Sequence, residues 1–240
     1  MTTTGPSPEA LHRVAERALA ECTKGVRLAL GLGTGRAAEA FIRRLGAAVK
    51  AHELEVVGVP TSERSDALAR ELGIPVTSLA DVAKLDLAFD GADEVDPTGQ
   101  LIKGLGGAML RERVVASEAA RFVVLVTPEK LVPRLGARSV LPVEVVPFAE
   151  ASATRRLAKV AAAVTRRRAK DGGVYLTDNG NVVLDLSAPE GGFADPRALD
   201  RDVRAVPGVV DTGFFFDMAR LVVVGEADGV RVIEPVSARS

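Results

Sequence analysis

A chain of 240 residues, 47% of them hydrophobic and with a formal net charge of −1, carries enough apolar surface to build a full core. Its 31 basic residues, mostly arginine, are balanced by 32 acids, so the composition points to no nucleic-acid-binding face, and no apolar run approaches the roughly 20 residues of a membrane-spanning helix. The single cysteine, Cys22, excludes an intramolecular disulfide, and with no signal-peptide pattern at the start the reducing cytoplasm is the expected compartment.

Met1 to Pro8 is a polar, Pro-containing leader, and Ser7 with Pro8-Glu9 opens a helix to about Cys22. Val26 to Leu30 reads as a buried strand that leaves through Gly31-Leu32-Gly33-Thr34-Gly35-Arg36 into a helix over Ala37 to Lys50, whose Phe41, Ile42 and Leu45 form an apolar stripe. Glu55 to Val59 is the next strand, Thr61-Ser62 its polar exit, and Asp66 to Leu72 a helix closed by Gly73. Leu85 to Phe89 is a third strand with Asp90-Gly91 as its breaker, followed past Gly107 by a helix over Ala108 to Ala120. Phe122 to Val126 is the fourth, leaving through Thr127-Pro128-Glu129-Lys130. Strands alternating with helices at this spacing imply βαβ units and a parallel sheet.

Beyond Gly136 the pattern changes. Val140 to Val146 is strand-like, Ala151 to Arg168 helical with Arg166-Arg167-Arg168 as its solvated end, and Val174 to Leu186 a hairpin turning at Asn179-Gly180 in a type I′ turn. A helix over Pro196 to Val206 and a strand over Val209 to Phe216 follow, before Arg220 to Val224 and Val230 to Ile233 return to the first sheet. This order predicts an α/β chain in which a small α+β unit with an antiparallel sheet is inserted into the parallel-sheet unit.

The stretch Leu85 to Glu112 concentrates the chemistry. Asp90, Asp93 and Glu94 follow a strand end and precede Lys103 and the loop Gly104-Leu105-Gly106-Gly107, and in open α/β sheets ligands bind at the carboxyl ends of strands. With no Cys or His nearby, zinc is not suggested, and Lys103 would compete with Mg²⁺ for the carboxylates. A carboxylate beside a lysine suits enolisation next to a carbonyl: one accepts a carbon-bound proton, the other stabilises the oxyanion. A structural ion-pair cluster has the same spacing, so the residues alone leave both readings open. The loop Gly31 to Gly35 suits a phosphate at a helix N-terminus, against the plainer reading of a tight strand-to-helix turn. Thr61-Ser62 is equally explained by helix capping. His12 and His52 have no partner pattern, and Cys22 reads as a small core residue.

In these residues the chain resembles the type A ribose-5-phosphate isomerase family. The resemblance runs through Gly31 to Gly35, Thr61-Ser62, DGADEVD at Asp90 to Asp96, LIKG at Leu101 to Gly104, Gly106-Gly107-Ala108, Leu110-Arg111-Glu112, LPVEVVP at Leu141 to Pro147, TDNGN at Thr177 to Asn181 and PGVVDTGFF at Pro207 to Phe215. It implies a Rossmann-like domain over 1–138 and 217–240 with a ferredoxin-like α+β lid and oligomerisation domain over 139–216. It also implies a cofactor-free, metal-free homo-oligomer acting on a small phosphosugar, interconverting ribose 5-phosphate and ribulose 5-phosphate through a cis-enediolate. By resemblance, Glu112 is the base, Asp90 and Asp93 aid ring opening and bind hydroxyls, and Lys103 stabilises the enediolate. Gly33, Thr34, Gly35, Arg36, Thr61, Ser62, Gly104, Gly106, Gly107 and Lys130 are the implied substrate contacts. TDNGN is expected to shape the lid hairpin.

Three positions depart from the family pattern. Arg36-Ala37 stands where a Ser-Thr pair is common, Leu105 interrupts the glycine run and is expected to restrict a loop that needs positive φ, and the family's N-terminal lysine falls at His12 or Arg13. Two alternatives remain: a diverged isomerase for another phosphosugar, and a non-catalytic sugar-phosphate sensor, although no helix-turn-helix pattern precedes the first strand.

Overall fold

The computed structural model describes residues 6–235, so the start of the polar leader, residues 1–5, lies outside the described residues. In chain order the elements are α1 (Pro8–Leu19), β1 (Arg27–Leu32), α2 (Arg36–Lys50), β2 (Glu55–Pro60), α3 (Glu63–Glu71), β3 (Leu85–Gly91), β4 (Glu94–Val95), β5 (Leu101–Ile102), α4 (Met109–Ser117) and β6 (Ala119–Val126). They continue with β7 (Leu141–Val145), α5 (Glu150–Leu157), β8 (Ala163–Arg166), β9 (Val182–Ser187), α6 (Pro196–Arg204), β10 (Val209–Thr212), β11 (Phe214–Phe215), β12 (Ala219–Gly225) and β13 (Val230–Ile233). Two compact units result: Met1–Ala92, Arg111–Lys130 and Asp217–Ser240 form the first, Asp93–Leu110 and Leu131–Phe216 the second. Among the described residues no helix is long and apolar enough to cross a membrane.

The first unit is Rossmann-like. Its 6-stranded sheet runs β13-β12-β6-β3-β1-β2, parallel throughout except for the β12–β13 pair. Leu28, Leu30 and Leu32 alternate along β1 toward a core shared with Val14 of α1, Phe41, Ile42 and Leu45 of α2 and Leu68 of α3. Gly31 faces the other side, where a β-carbon would stand 2.6 Å from Val115 of α4. Helices therefore cover both faces, which is why the strands read as unbroken apolar runs. The helix starts follow their sequence signals: Ser7 caps α1, its side chain accepting from the Ala10 amide, and Ser62 forms a capping box with Ser65 at α3.

The second unit is a small α+β body. Its strand–helix–strand–strand–helix–strand order and its 4-stranded antiparallel sheet, β10-β7-β9-β8, are ferredoxin-like. At Gly213 the chain leaves β10 for β11, which joins β5 and β4 in a second small sheet, so the single strand expected over Val209 to Phe216 is split. The amide of Gly213 donates to Pro142 and its carbonyl accepts from Lys103, a crossing with no room for a side chain.

Four local readings change. Helix α5 stops at Leu157, and the segment expected to continue it to Arg168 contains β8, whose Val164 and Thr165 pair with Leu186 and Asp185. Cross-strand pairing of β-branched residues outweighs the alanine-rich helix propensity there. The Asn179-Gly180 turn is not type I′: Gly180 alone takes positive φ (76°), and its amide closes a turn onto the Thr177 carbonyl at 2.8 Å. Asp90 and Gly91 extend β3 rather than break it, paired with Val124 and Leu125. Helix α4 ends at Ser117 because Ala119 already pairs with Leu85.

Two fully buried carboxylates organise the second unit. Glu144 Oε1 accepts from Thr177, Asn179 and Asn181, so the TDNGN motif is folded around one oxygen. Glu94 takes the amides of Gly136 at 2.5 Å, Arg138 at 2.6 Å and Ser139 at 2.5 Å across both of its oxygens. In Glu94→Gln an amide NH₂ faces those donors, and urea denaturation is expected to show a loss of about 1–3 kcal/mol for the stranded N–H groups. A wild-type midpoint would mean that the 136–139 loop is not held by this carboxylate.

Candidate active site

In the first unit β1 lies between β2 and β3, so the connections leaving β1 and β3 diverge, and the cleft this creates at the carboxyl ends is where such sheets bind ligands. Parallel pairing puts the exits of β1, β2, β3 and β6 on one edge. These exits carry Gly33-Thr34-Gly35, Thr61-Ser62, Asp90 and the 3-10 turn Pro128–Lys130. Glu112 sits in the first turn of α4, which returns to β6 and so starts at the same edge.

Asp90 is 3% exposed and lies against the Gly33 backbone: a β-carbon at 33 would stand 2.3 Å from the Asp90 carboxyl carbon. Its Oδ1 accepts the amides of Thr34 at 3.0 Å and Gly91 at 2.7 Å. The Thr34 hydroxyl in turn meets Thr61 Oγ1 at 2.8 Å and Ser62 Oγ at 2.7 Å. Thr61 and Ser62 are buried, so they back Thr34 rather than project, and Ser62 also caps α3. Gly35 takes φ +99° and gives α2 no side-chain cap. The first amides of α2 are thus left to whatever approaches that end. Arg36, the first residue of α2, is exposed and bonds to no side chain among the described residues. Glu112 is 5% exposed, and Lys130 closes its turn with a 2.9 Å amide bond to Thr127 while its side chain stays partly exposed.

The second unit holds a set of its own. Asp93 accepts the Leu105 amide at 2.9 Å on Oδ2, and its own amide donates to Ile102 at 2.8 Å. Lys103 follows β5 almost fully buried, its Nζ 5.6 Å from the centre of the Phe215 ring. Glu94, one residue on and the first of β4, is committed to the 136–139 amides. In the glycine loop, positive φ falls at Gly104 and Gly107, not at Leu105, which is 44% exposed. The expected strain at Leu105 is therefore absent: its backbone asks nothing that an L residue refuses.

Arg167 and Tyr175, which the sequence reading left unused, grip this same loop through its carbonyls. Arg167 is no solvated helix end: it pairs bidentately with Asp185. A run of three arginines hid it, since nothing in such a run marks which one turns inward. Of the two N-terminal candidates, Arg13 binds the carbonyls of Glu226 and Ala227, and His12 lies 3.9 Å from Glu16. Burial, with Glu21 adding to it, pushes the Cys22 thiol up to about 12, so Cys22 is an inert core group.

Buried Asp90 and Glu112 beside an uncapped helix end at the carboxyl edge of the Rossmann-like sheet are a set suited to an α/β enzyme of the acid–base kind, and the second unit buries Lys103. The family described as ribose 5-phosphate isomerase A (phosphoriboisomerase A) matches residues 57–229. Ribose-5-phosphate isomerase A of Roseiflexus sp. (strain RS-1) is 50% identical over 229 residues, covering 95% of this chain and 97% of that protein. The solved ribose 5-phosphate isomerase A of Methanocaldococcus jannaschii is 37% identical with a TM-score of 0.87, covering 94% of this chain and 98% of that one. A solved D-ribose-5-phosphate isomerase in complex with phospho-erythronic acid is 37% identical with a TM-score of 0.90, over 95% and 99% of the two chains. The chain belongs to the ribose 5-phosphate isomerase A family.

The tight approach at position 33 is open to test. Gly33→Ala must push Asp90 away from the end of β1, and overpacking of this kind is expected to cost about 1–3 kcal/mol in chemical denaturation. An unchanged midpoint would show that the Asp90 carboxyl does not lie across this backbone.

Proposed function

We propose that this chain is an aldose–ketose isomerase that interconverts D-ribose 5-phosphate and D-ribulose 5-phosphate through a cis-enediolate. The observation that carries the reading is 50% identity to a ribose-5-phosphate isomerase A over 95% of the chain, in a protein whose Asp90, Lys103 and Glu112 are all buried polar groups. The phospho-erythronic acid bound by a solved relative supports it further. That compound is a phosphorylated four-carbon acid whose planar carboxylate resembles the two oxygens of an enediolate.

In the proposed chemistry Glu112 takes the proton from C2 of the open-chain aldose. The C–H electron pair forms the C1–C2 double bond, and the carbonyl pair moves to O1, where the Lys103 ammonium stabilises it. Glu112 returns the proton to C1, and the hydroxyl proton leaves O2 for O1, giving the ketose. Asp90 and Asp93 assist ring opening and hold sugar hydroxyls, and the loop with Gly104, Gly106 and Gly107 contacts the sugar end. Gly33, Thr34, Gly35 and Arg36 take the phosphate with Lys130, and Thr61 and Ser62 keep the Thr34 hydroxyl in place. Phe148 of the second unit, 100% exposed near the exposed Val146, supports a homo-oligomer, since a second copy would cover such a surface.

An assay for ribulose 5-phosphate formation from ribose 5-phosphate, run beside allose 6-phosphate and arabinose 5-phosphate, tests the substrate. Turnover of ribose 5-phosphate well above the others is expected, and preference for another sugar would overturn the assignment. Glu112→Gln keeps the shape and removes the proton acceptor, so kcat is expected to fall by roughly 10²–10⁴ with little change in KM. Near-normal kcat in that variant would reject Glu112 as the base.

Arg36 carries the phosphate part of the reading. The phosphate does not change during isomerisation, so a guanidinium bound to it acts alike on substrate and transition state. Arg36→Ala is expected to raise KM about tenfold or more, from roughly 1.5–3 kcal/mol for a charged hydrogen bond. Arg36→Ser with Ala37→Thr, which restores the hydroxyl pair common in the family, is expected to recover binding. An unchanged KM in Arg36→Ala would leave the phosphate to Thr34 and the loop amides.

A further inference from the structure

Three successive carbonyls of the glycine loop are held from one side. Arg167 Nη1 donates to Gly104 O at 2.8 Å and to Leu105 O at 3.0 Å, and the Tyr175 hydroxyl donates to Gly106 O at 3.2 Å. The loop is shaped to receive them. A β-carbon at Gly107 would stand 1.9 Å from the Tyr175 oxygen, and Gly104 takes φ +101°. The rest of the Arg167 fork is used on Asp185: Nε reaches Oδ2 at 2.9 Å, and Nη2 bonds Oδ1. The Arg167 side chain is only 12% exposed, so this carboxylate is what allows a cation to sit there.

A trans peptide is planar, with its C=O and N–H pointing in opposite directions. A peptide gripped by its oxygen therefore presents its N–H on the far side. For the peptide joining Gly104 to Leu105 the far side is Asp93, whose Oδ2 receives the Leu105 amide at 2.9 Å. One rigid unit thus runs from the Arg167–Asp185 pair through a single peptide to the Asp93 carboxylate. We propose that Arg167 and Tyr175 are positioning residues for the isomerisation, latching the Gly104–Gly107 loop so that its Gly104–Leu105 peptide orients Asp93. The role of Asp93 rests on the isomerase reading; the latch itself does not. Lysine cannot substitute, because one ammonium cannot bind Asp185 and two carbonyls in the geometry of the fork.

A double-mutant cycle between Arg167→Lys and Asp93→Ala, with hydrogen exchange at the Leu105 amide measured on the same proteins, tests the latch. Arg167→Lys is expected to lower kcat/KM about tenfold or more in the native background and less than about twofold in Asp93→Ala, because its effect passes through that carboxylate. Exchange at Leu105 is expected to rise about tenfold or more in Arg167→Lys. Tyr175→Phe removes one hydroxyl and leaves the ring, and is expected to follow the same pattern more weakly; it decides the question if Arg167→Lys does not fold. Additive losses around the cycle, or native-like Leu105 exchange in the variants, overturn the latch. A native protein that leaves ribose 5-phosphate unconverted overturns the isomerase reading instead, and the exchange measurement then decides the latch by itself.

Discussion

A carboxylate occupies the space where a β-carbon at position 33 would stand. Because Gly33 has none, the end of β1 lies flat against Asp90 at the end of β3, and Oδ1 collects the amides of Thr34 and Gly91. That fixes the direction of Thr34, whose hydroxyl meets Thr61 and Ser62 at the exit of β2. Ser62 passes the constraint on by capping α3. Three strand exits are joined in this way by short polar side chains. The joining works only because β1 is flanked by β2 and β3, so sheet order and side-chain chemistry specify the same edge.

The acidic side chains divide by what consumes them. Asp93 and Glu94 are adjacent in sequence and opposite in fate: Asp93 lies in the bend before β4, and Glu94 is the first residue of that strand. Glu94 turns inward and is spent on three backbone amides; Asp93 holds one amide of the glycine loop. Glu144 is likewise spent, on Thr177, Asn179 and Asn181. A buried carboxylate with that many donors is a structural device: it replaces a stretch of regular hydrogen bonding where the chain must turn.

Much of the first unit was legible because burial on both sheet faces leaves long apolar runs, and because Ser7 and Ser62 mark their helix starts with ordinary capping chemistry. The second unit was harder to read. Ala158 to Ala162 looks like helix by propensity, yet the chain turns there so that Val164 and Thr165 can complete an edge strand on β9. No local signal announces that choice; it is made by the partner strand, where Leu186 and Asp185 lie 22 and 20 residues further along the chain. The chemistry-bearing residues stood out in the sequence because they cluster after β3, whereas Arg167 and Tyr175 did not, since their role exists only once the β8–β9 connection reaches the glycine loop.

The two departures from the family pattern that bear on loops have different physical weight. At Leu105 the glycine common in the family has been replaced without cost to the backbone, because the positive φ values fall on either side of it and its side chain is 44% exposed. The demand for glycine in this loop comes from its neighbours: at Gly107 from the Tyr175 ring, at Gly104 from its own φ and from Met109. At Arg36 the change is chemical. Two short hydroxyls that would sit at the start of α2 have become one long cation and a methyl group, with the guanidinium exposed and the Thr34 hydroxyl held by Thr61 and Ser62. A serine or threonine there acts only within reach of its own backbone, whereas an arginine reaches an anion from outside the turn and carries the opposite charge. The replacement therefore exchanges short-range directional hydrogen bonding for charge and reach.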